Sequence, residues 1–217
     1  MRRKLGYAAC ASGMALLAYA AIVIWRGDPI TGYIAHRTQH ALAHELDARG
    51  AAAPRRVPEG RPFAWITIPR IGLHAVVVEG TSTADLEKGP GHYRITALPG
   101  LGDTVAIAGH RTTWGAWFRH VDELHKGDPI VLRLPYGTVS YRVTGERVVA
   151  PNDWSILRDR GYHRLILSTC DPPGSASHRR IVFASEARFR PRLLRTASAS
   201  RRTEPAQALD RQHDRAR

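Results

Sequence analysis

The sequence predicts a mostly-β domain, a barrel or a sandwich, held outside the membrane behind one N-terminal helix. Residues 5–25 carry no charged side chain, which sets them apart from everything downstream. Between Phe63 and Phe189, seven short apolar or alternating runs are broken by Gly, Pro and Asp, the punctuation of a strand-rich fold. The segments on either side of that block, 26–61 and 190–217, show no such runs. A chain of 217 residues with 43% hydrophobic content has room for one ordinary domain with a real core, plus tails.

Taken in order, residues 1–4 are expected in the cytoplasm, because Arg2, Arg3 and Lys4 precede the apolar run and positive flanks stay inside. At ~1.5 Å rise per residue, residues 5–25 span roughly 30 Å, the thickness of a bilayer hydrocarbon core. Trp25 falls at the far interface, and Arg26 and Asp28 end the run. The competing reading is a cleaved signal peptide, but the span is long for one and Ala18-Tyr19-Ala20 lies inside it. The chain after residue 26 is then extracytoplasmic.

Residues 26–61 read as a stalk and linker. Ile30 to Leu46 is compatible with a helix bearing Ile30, Ile34, Leu42 and Leu46 near one face. Gly50 stops it, and a Pro- and Arg-rich stretch follows from Ala51 to Pro62. His36, His40 and His44 would stack on one helical face. Three imidazoles at that spacing could bind zinc; the alternative is a polar stripe on an exposed stalk, since no acidic or cysteine ligand completes a site.

The expected strands are Phe63–Ile68, Ala75–Glu79, Val105–Ala108, Ile130–Leu134, Val139–Val149, Leu165–Ser168 and Ile181–Ser185. Two short helices are expected between them. Ser82 caps one, with Asp85 three residues on and Gly89 as its stop; Ala116 to Leu124 forms the other. Residues 190–217, rich in Arg and Ala without apolar periodicity, are expected to be a disordered basic tail. It reads as solvated, with adhesion to anionic lipid or wall polymer as the functional alternative.

The net charge of +13 is nearly all arginine, the only lysines being Lys4, Lys88 and Lys126. Basic chains often bind nucleic acid, but a domain placed outside the membrane makes that a poor reading. Cys10 lies in the apolar segment and Cys170 far from it, so a disulfide framework is excluded. Cys170 closes the strand-like run Leu165–Cys170, His110 ends another at Val105–Gly109, and Arg179 opens a third. A lone thiol, a distant histidine and an arginine, each at a strand edge, point to a cysteine nucleophile with a base and a cationic stabiliser. Arg179 and Arg180 are neighbours, so strand alternation sends them to opposite faces and only one faces the thiol.

These residues carry a resemblance. Ala108-Gly109-His110-Arg111-Thr112-Thr113-Trp114-Gly115 looks like the histidine motif of sortases, and Leu167-Ser168-Thr169-Cys170 resembles their Thr-Leu-x-Thr-Cys strand end. Arg179 falls where their catalytic arginine sits, and Ile68-Pro69-Arg70-Ile71-Gly72-Leu73 is similar to their opening strand. Gly89-Pro90-Gly91-His92-Tyr93 and Leu98-Pro99-Gly100 also match. The similarity covers residues 62–189 and is greatest to class E, the housekeeping-like group of actinobacteria.

The resemblance implies a closed eight-stranded β-barrel and a membrane-anchored transpeptidase with His110, Cys170 and Arg179 as catalytic residues. It implies Thr112, Thr113, Trp114 and Thr169 at the substrate. The implied donors are secreted proteins ending in a Leu-(Pro or Ala)-x-Thr-Gly sorting signal. The implied acceptor is an amine, of a cell-wall precursor or a pilin lysine. One peptide bond is exchanged for another, so no metal or cofactor is implied. Trp114 stands where class E often has Tyr, a position associated with preferring Ala over Pro, which leaves the preference open. Asp171 stands where class E often has His. A carboxylate there is expected to disfavour thiolate and to pull on the pKa of His110, or to make a simple turn with Pro172 and Pro173.

Rival readings are a papain-like or wall-peptide cysteine hydrolase, an L,D-transpeptidase, and an anchored β domain that binds wall peptides without turnover. In papain-like enzymes the cysteine precedes the histidine and opens a helix, the reverse of the order here. The Ser/Thr-His-Gly-Cys signature of L,D-transpeptidases is absent before Cys170.

Overall fold

The computed structural model describes residues 2–26, 28–50 and 56–192. Eight strands form in chain order: β1 Pro62–Ile68, β2 Leu73–Glu79, β3 Gly91–His92, β4 Thr104–Ala108, β5 Pro129–Leu134, β6 Gly137–Val149, β7 Arg164–Asp171 and β8 His178–Pro191. They close into one barrel in the spatial order β1-β2-β3-β4-β7-β8-β6-β5. Closure gives each strand a neighbour on both sides, although β3 is so short that part of β2 is left unpaired. All seven expected strands are present. The eighth, β3, is two residues long and too short to leave a periodic signature. Gly91 is required there: a Cβ on it would come within 2.2 Å of the Gly80 carbonyl oxygen.

The main core fills the barrel, with Ile66, Ile107, Leu132, Leu165, Leu167, Val182 and Ala184 pointing inward. Each such aliphatic side chain, fully buried, contributes about 1.5–3 kcal/mol. A second core lies outside the barrel wall. Ala106 of β4, Ile166 of β7 and Ile181 of β8 meet Val149 and Leu157 there, beneath the segment that links β6 to β7. β4 is therefore buried along its whole length and β7 from Arg164 to Thr169. Strands covered on both faces read as continuous apolar runs, and Leu165-Ile166-Leu167 does so.

The Ser82 helix forms as α3, Thr83–Leu86, with a full capping box: Ser82 Oγ accepts from the Asp85 N–H, and the Asp85 carboxylate accepts from the Ser82 N–H at 3.3 Å. The helix expected at Ala116–Leu124 does not form. Gly115 and Ala116 sit at φ +85 and +46, which turns the chain out of the right-handed region. Trp117, Phe118, Val121 and Leu124 are all drawn into the core, and only one 3-10 turn, Val121–Glu123, remains. Core packing overrides helix propensity here. Gly109 makes room for it, since a Cβ there would lie 2.7 Å from the Phe118 ring.

Two α-helices precede the barrel: α1, Arg2–Arg26, and α2, Pro29–Asp47, which Asp28 caps through the Ile30 N–H. Among the described residues no helix is long and apolar enough to cross a membrane. The segment expected as a stalk places α2 against β1 and β2. Ala35, Gln39, Leu42 and Leu46 form its buried stripe, whereas Ile30 and Ile34, expected on the same face, are exposed. Leu42 and Leu46 pack on Val76 and Val78. His36, His40 and His44 are solvent-facing, and His36 packs edge-on against Trp117 with ring centroids 4.8 Å apart. The expected tail begins later than residue 190, because Arg190 and Pro191 pair with Thr138 and Gly137; its remainder, 193–217, lies outside the described residues.

Gln39 explains why α2 stays on the barrel. β2 pairs with β3 only at Val78 and Glu79, which leaves Val76 without a strand neighbour on that side. The Gln39 side-chain amide takes the neighbour's place. Its oxygen accepts from the Val76 N–H at 2.6 Å, and its nitrogen donates to the carbonyls of Val76 and Lys88 at 3.0 and 2.9 Å. Gln39→Ala strands these buried groups and is expected to cost about 2–3 kcal/mol, read as a lowered denaturation midpoint. An unchanged midpoint would show that α2 contributes nothing to barrel stability.

Candidate active site

Strand register alone gathers the three residues singled out in the sequence. β4 and β7 run parallel, with Ala108 beside Ser168, and the Gly109 N–H continues the ladder by donating to the Ser168 carbonyl at 3.0 Å. His110 and Cys170 each lie two residues past the Ala108–Ser168 pair. β7 and β8 are antiparallel, and Cys170 stands directly opposite Arg179. Alternation puts all three on the face of Ala106, Ile166 and Ile181, the outer face of the barrel wall. Adjacent strands lie ~4.8 Å apart, so the thiol sits in the middle of a row of three.

The guanidinium of Arg179 is half-buried and donates through Nη1 to the carbonyls of Ala176 and His178, at 3.2 and 3.1 Å. Arg180 faces the other way. Its Nε donates to Asp171 Oδ1 at 3.1 Å and its Nη1 to Glu146 Oε2 at 2.8 Å. One arginine of the pair is thus tied into carboxylates on the inner side, and the other stands opposite Cys170 in the strand register, its guanidinium bonded to the segment between β7 and β8.

Behind the row lies a charge cluster, centred on a buried arginine, that sequence reasoning missed. Arg111 follows His110 and so points inward, where its side chain is only 3% exposed. Its guanidinium pairs with Asp171, with Asp122 at 2.7 Å, and with the carbonyl oxygen of Cys170 itself at 3.3 Å. Burial by itself would raise the Asp171 carboxyl, but hydrogen bonds and charge from Arg111 and Arg180 outweigh it and hold the carboxyl below the usual range. The expected antagonism between Asp171 and the thiolate is therefore corrected: the carboxylate is on the opposite face and neutralised by two guanidiniums. A strand-end Arg with inward parity needs carboxylate partners, and that was the available signal.

Burial lowers the proton affinity of His110, and the charge of Glu87 offsets part of that effect. The carboxylate acting on His110 is thus Glu87, not the expected Asp171. The imidazole is neutral near pH 7, and its buried Nε2 has no hydrogen-bond partner among the described residues. A neutral imidazole with a free nitrogen, one strand from a thiol, can take the thiol proton and return it.

Thr169 is buried, and its hydroxyl donates to the Gly109 carbonyl at 2.8 Å, stapling the two strand ends together. Thr112, Thr113 and Trp114 are half-buried in the loop after His110. Trp114, Gly115 and Ala116 are consecutive left-handed residues, with φ +50, +85 and +46. A non-glycine residue there costs about 1–2 kcal/mol, so the loop must be held from outside.

A sortase domain model matches residues 66–187, more than half of the chain. The chain belongs to the sortase family. It is 37% identical over 128 residues to sortase D of Bacillus subtilis, covering 57% of this chain and 63% of that one. Against sortase SrtE1 of Streptomyces coelicolor it is 28% identical over 209 residues, covering 88% of this chain and 58% of that one. The chain thus spans less than two thirds of the length of either relative. A solved structure of sortase E1 from Streptomyces coelicolor, with a tripeptide in its active site, superposes with a TM-score of 0.58 at 29% identity, over 61% of this chain and 91% of that one. Class E sortases are therefore among its structural neighbours.

Two predictions separate the roles of these side chains. Arg179→Ala is expected to lower turnover by about a hundredfold, as loss of an oxyanion donor does. Arg180→Ala should lower thermal stability and cost less than tenfold in turnover; a reversed order would exchange their roles. Glu87→Gln removes a charge that favours the imidazolium, so the acid limb of the kcat/KM profile should move to lower pH. An acid limb that stays in place or rises would remove Glu87 from the site.

Proposed function

We propose that this sortase is a membrane-anchored cysteine transpeptidase that cleaves Leu-(Pro or Ala)-x-Thr-Gly signals between Thr and Gly. The observation that carries the reading is the row His110–Cys170–Arg179 on one face of three adjacent strands. Neutral His110 accepts the thiol proton, and the Cys170 sulfur attacks the Thr carbonyl. Arg179, permanently charged with five N–H donors, stabilises the tetrahedral oxyanion. His110 protonates the departing glycine amine, which leaves a thioester on Cys170. An acceptor amine then attacks the thioester, and His110 takes its proton as Cys170 leaves.

Residues 5–25 serve as the anchor, with 1–4 in the cytoplasm and the barrel outside. The reading is supported by their uncharged sequence and by the exposed Tyr7, Met14, Leu16 and Leu17 on α1. Donors are secreted proteins with a C-terminal signal. The acceptor is an amine such as that of a wall precursor, and membrane lipid is a further partner through the N-terminal helix.

The test incubates the full chain in detergent with Leu-Pro-x-Thr-Gly and Leu-Ala-x-Thr-Gly peptides, with and without triglycine, and reads intact masses. A thioester adduct on Cys170 is expected, with ligated peptide only when triglycine is present. Cys170→Ala and His110→Ala should abolish both while leaving the fold intact. Absence of an adduct from a folded chain with a reactive thiol would overturn the proposal in favour of a binding module.

A further inference from the structure

Helix α2 reaches the loop that follows His110 and clamps it at two points. The Asp28 N–H donates to the Thr112 carbonyl at 2.9 Å. The Trp114 N–H donates to the Thr31 hydroxyl at 2.9 Å. That hydroxyl in turn donates to Asp28 Oδ2 at 2.9 Å, and Asp28 Oδ1 accepts from the Ile30 N–H at 3.0 Å. The first turn of α2 therefore holds both ends of Thr112–Trp114. A little further along, a Cβ on Gly32 would lie 4.0 Å from the Gly115 nitrogen, and His36 packs on Trp117. The clamp meets the chain where Trp114 enters the left-handed stretch, a conformation the loop would not hold by itself. The middle of α2 is fixed to β2 through Gln39, which ties the clamp to the barrel.

We infer that Thr31 is a positioning residue for signal recognition. Through the Trp114 backbone it sets the shape of the Thr112–Trp114 loop, and hence how tightly, and with which second residue, the sorting signal binds. This rests on the sortase reading of the site. Thr31 does not act on the chemical step, because His110 is fixed independently: the Gly109 N–H bonds to Ser168 before it, and its own carbonyl accepts from the Phe118 N–H at 3.0 Å.

The test compares Thr31→Val, which keeps the β-branched shape and removes the hydroxyl, with Thr31→Ser, which keeps the hydroxyl. Full-length chains are assayed in detergent with Leu-Pro-x-Thr-Gly and Leu-Ala-x-Thr-Gly peptides and triglycine. Thr31→Val removes both hydroxyl bonds, of which only the one from the Trp114 N–H reaches the loop, and losing that bond predicts a KM raised roughly three- to tenfold. The ratio of kcat/KM between the two peptides should shift, while kcat and the rate of Cys170 alkylation by iodoacetamide stay within about twofold of wild type. Thr31→Ser should restore wild-type KM and ratio. Unchanged KM and ratio in Thr31→Val, with an active wild type, overturn this inference alone. So does a fall in kcat, alkylation and melting temperature together, which would make Thr31 merely structural. A wild-type chain that forms no adduct with either peptide overturns the sortase reading and this inference with it.

Discussion

In the ladder between β4 and β7, Ala108 stands beside Ser168, and the site depends on that pairing. Parallel register carries the chain forward by equal steps on both strands, so whatever follows the pair by two residues ends up side by side. A slip of one residue would send His110 inward and Arg111 outward, because side chains alternate with period two. The slipped state would take Arg111 away from Asp122 and Asp171 and leave Asp171 with Arg180 alone. Thr169, bonded to the Gly109 carbonyl, pins the same register from the other strand. The ion pairs of buried Arg111 thus favour the register that sets His110 beside Cys170.

The adjacent arginines show how one strand serves two purposes. Arg179 and Arg180 are chemically identical and differ only in parity. Parity gives Arg180 to Asp171 and Glu146, and gives Arg179 to the thiol side. The carboxylate next to Cys170 is harmless for the same reason. Asp171 is one residue from Cys170 in sequence but on the other side of the sheet, with a cation on either hand. Sequence distance overstates its electrostatic reach, and the alternation of a strand corrects it.

Much of this was legible in the sequence because it depends on period and punctuation. Seven strands, the capping box at Ser82 and the strand-edge positions of His110, Cys170 and Arg179 follow from local pattern. What was hidden depends on contacts between distant segments. β3 is defined by its neighbours and not by its two residues. The stretch Ala116–Leu124 carries a helical pattern, but each apolar residue in it is claimed by the core after a left-handed turn. Gln39 looks like an exposed polar residue on a helix until an unpaired strand edge is placed beside it. Glu87 gains its influence on His110 only when the chain folds back.

The docking of α2 also bears on where the reaction happens. Asp28, whose N–H is bonded to Thr112, follows the proposed anchor after only a few residues. At ~3.5 Å per extended residue, the two steps from Arg26, the last residue of α1, to Asp28 cover at most roughly 7 Å. An anchored chain with α2 docked must therefore hold the loop after His110 close to the lipid surface. A long flexible linker would let the barrel sample a wide volume; α2 instead fixes one height and one orientation. Membrane-tethered reactants would meet the thiol at that height, where confinement to a thin layer raises their effective concentration. On the proposed anchored topology, one set of hydrogen bonds would thus have two consequences: it holds the loop that follows His110, and it would set that loop's distance from the membrane.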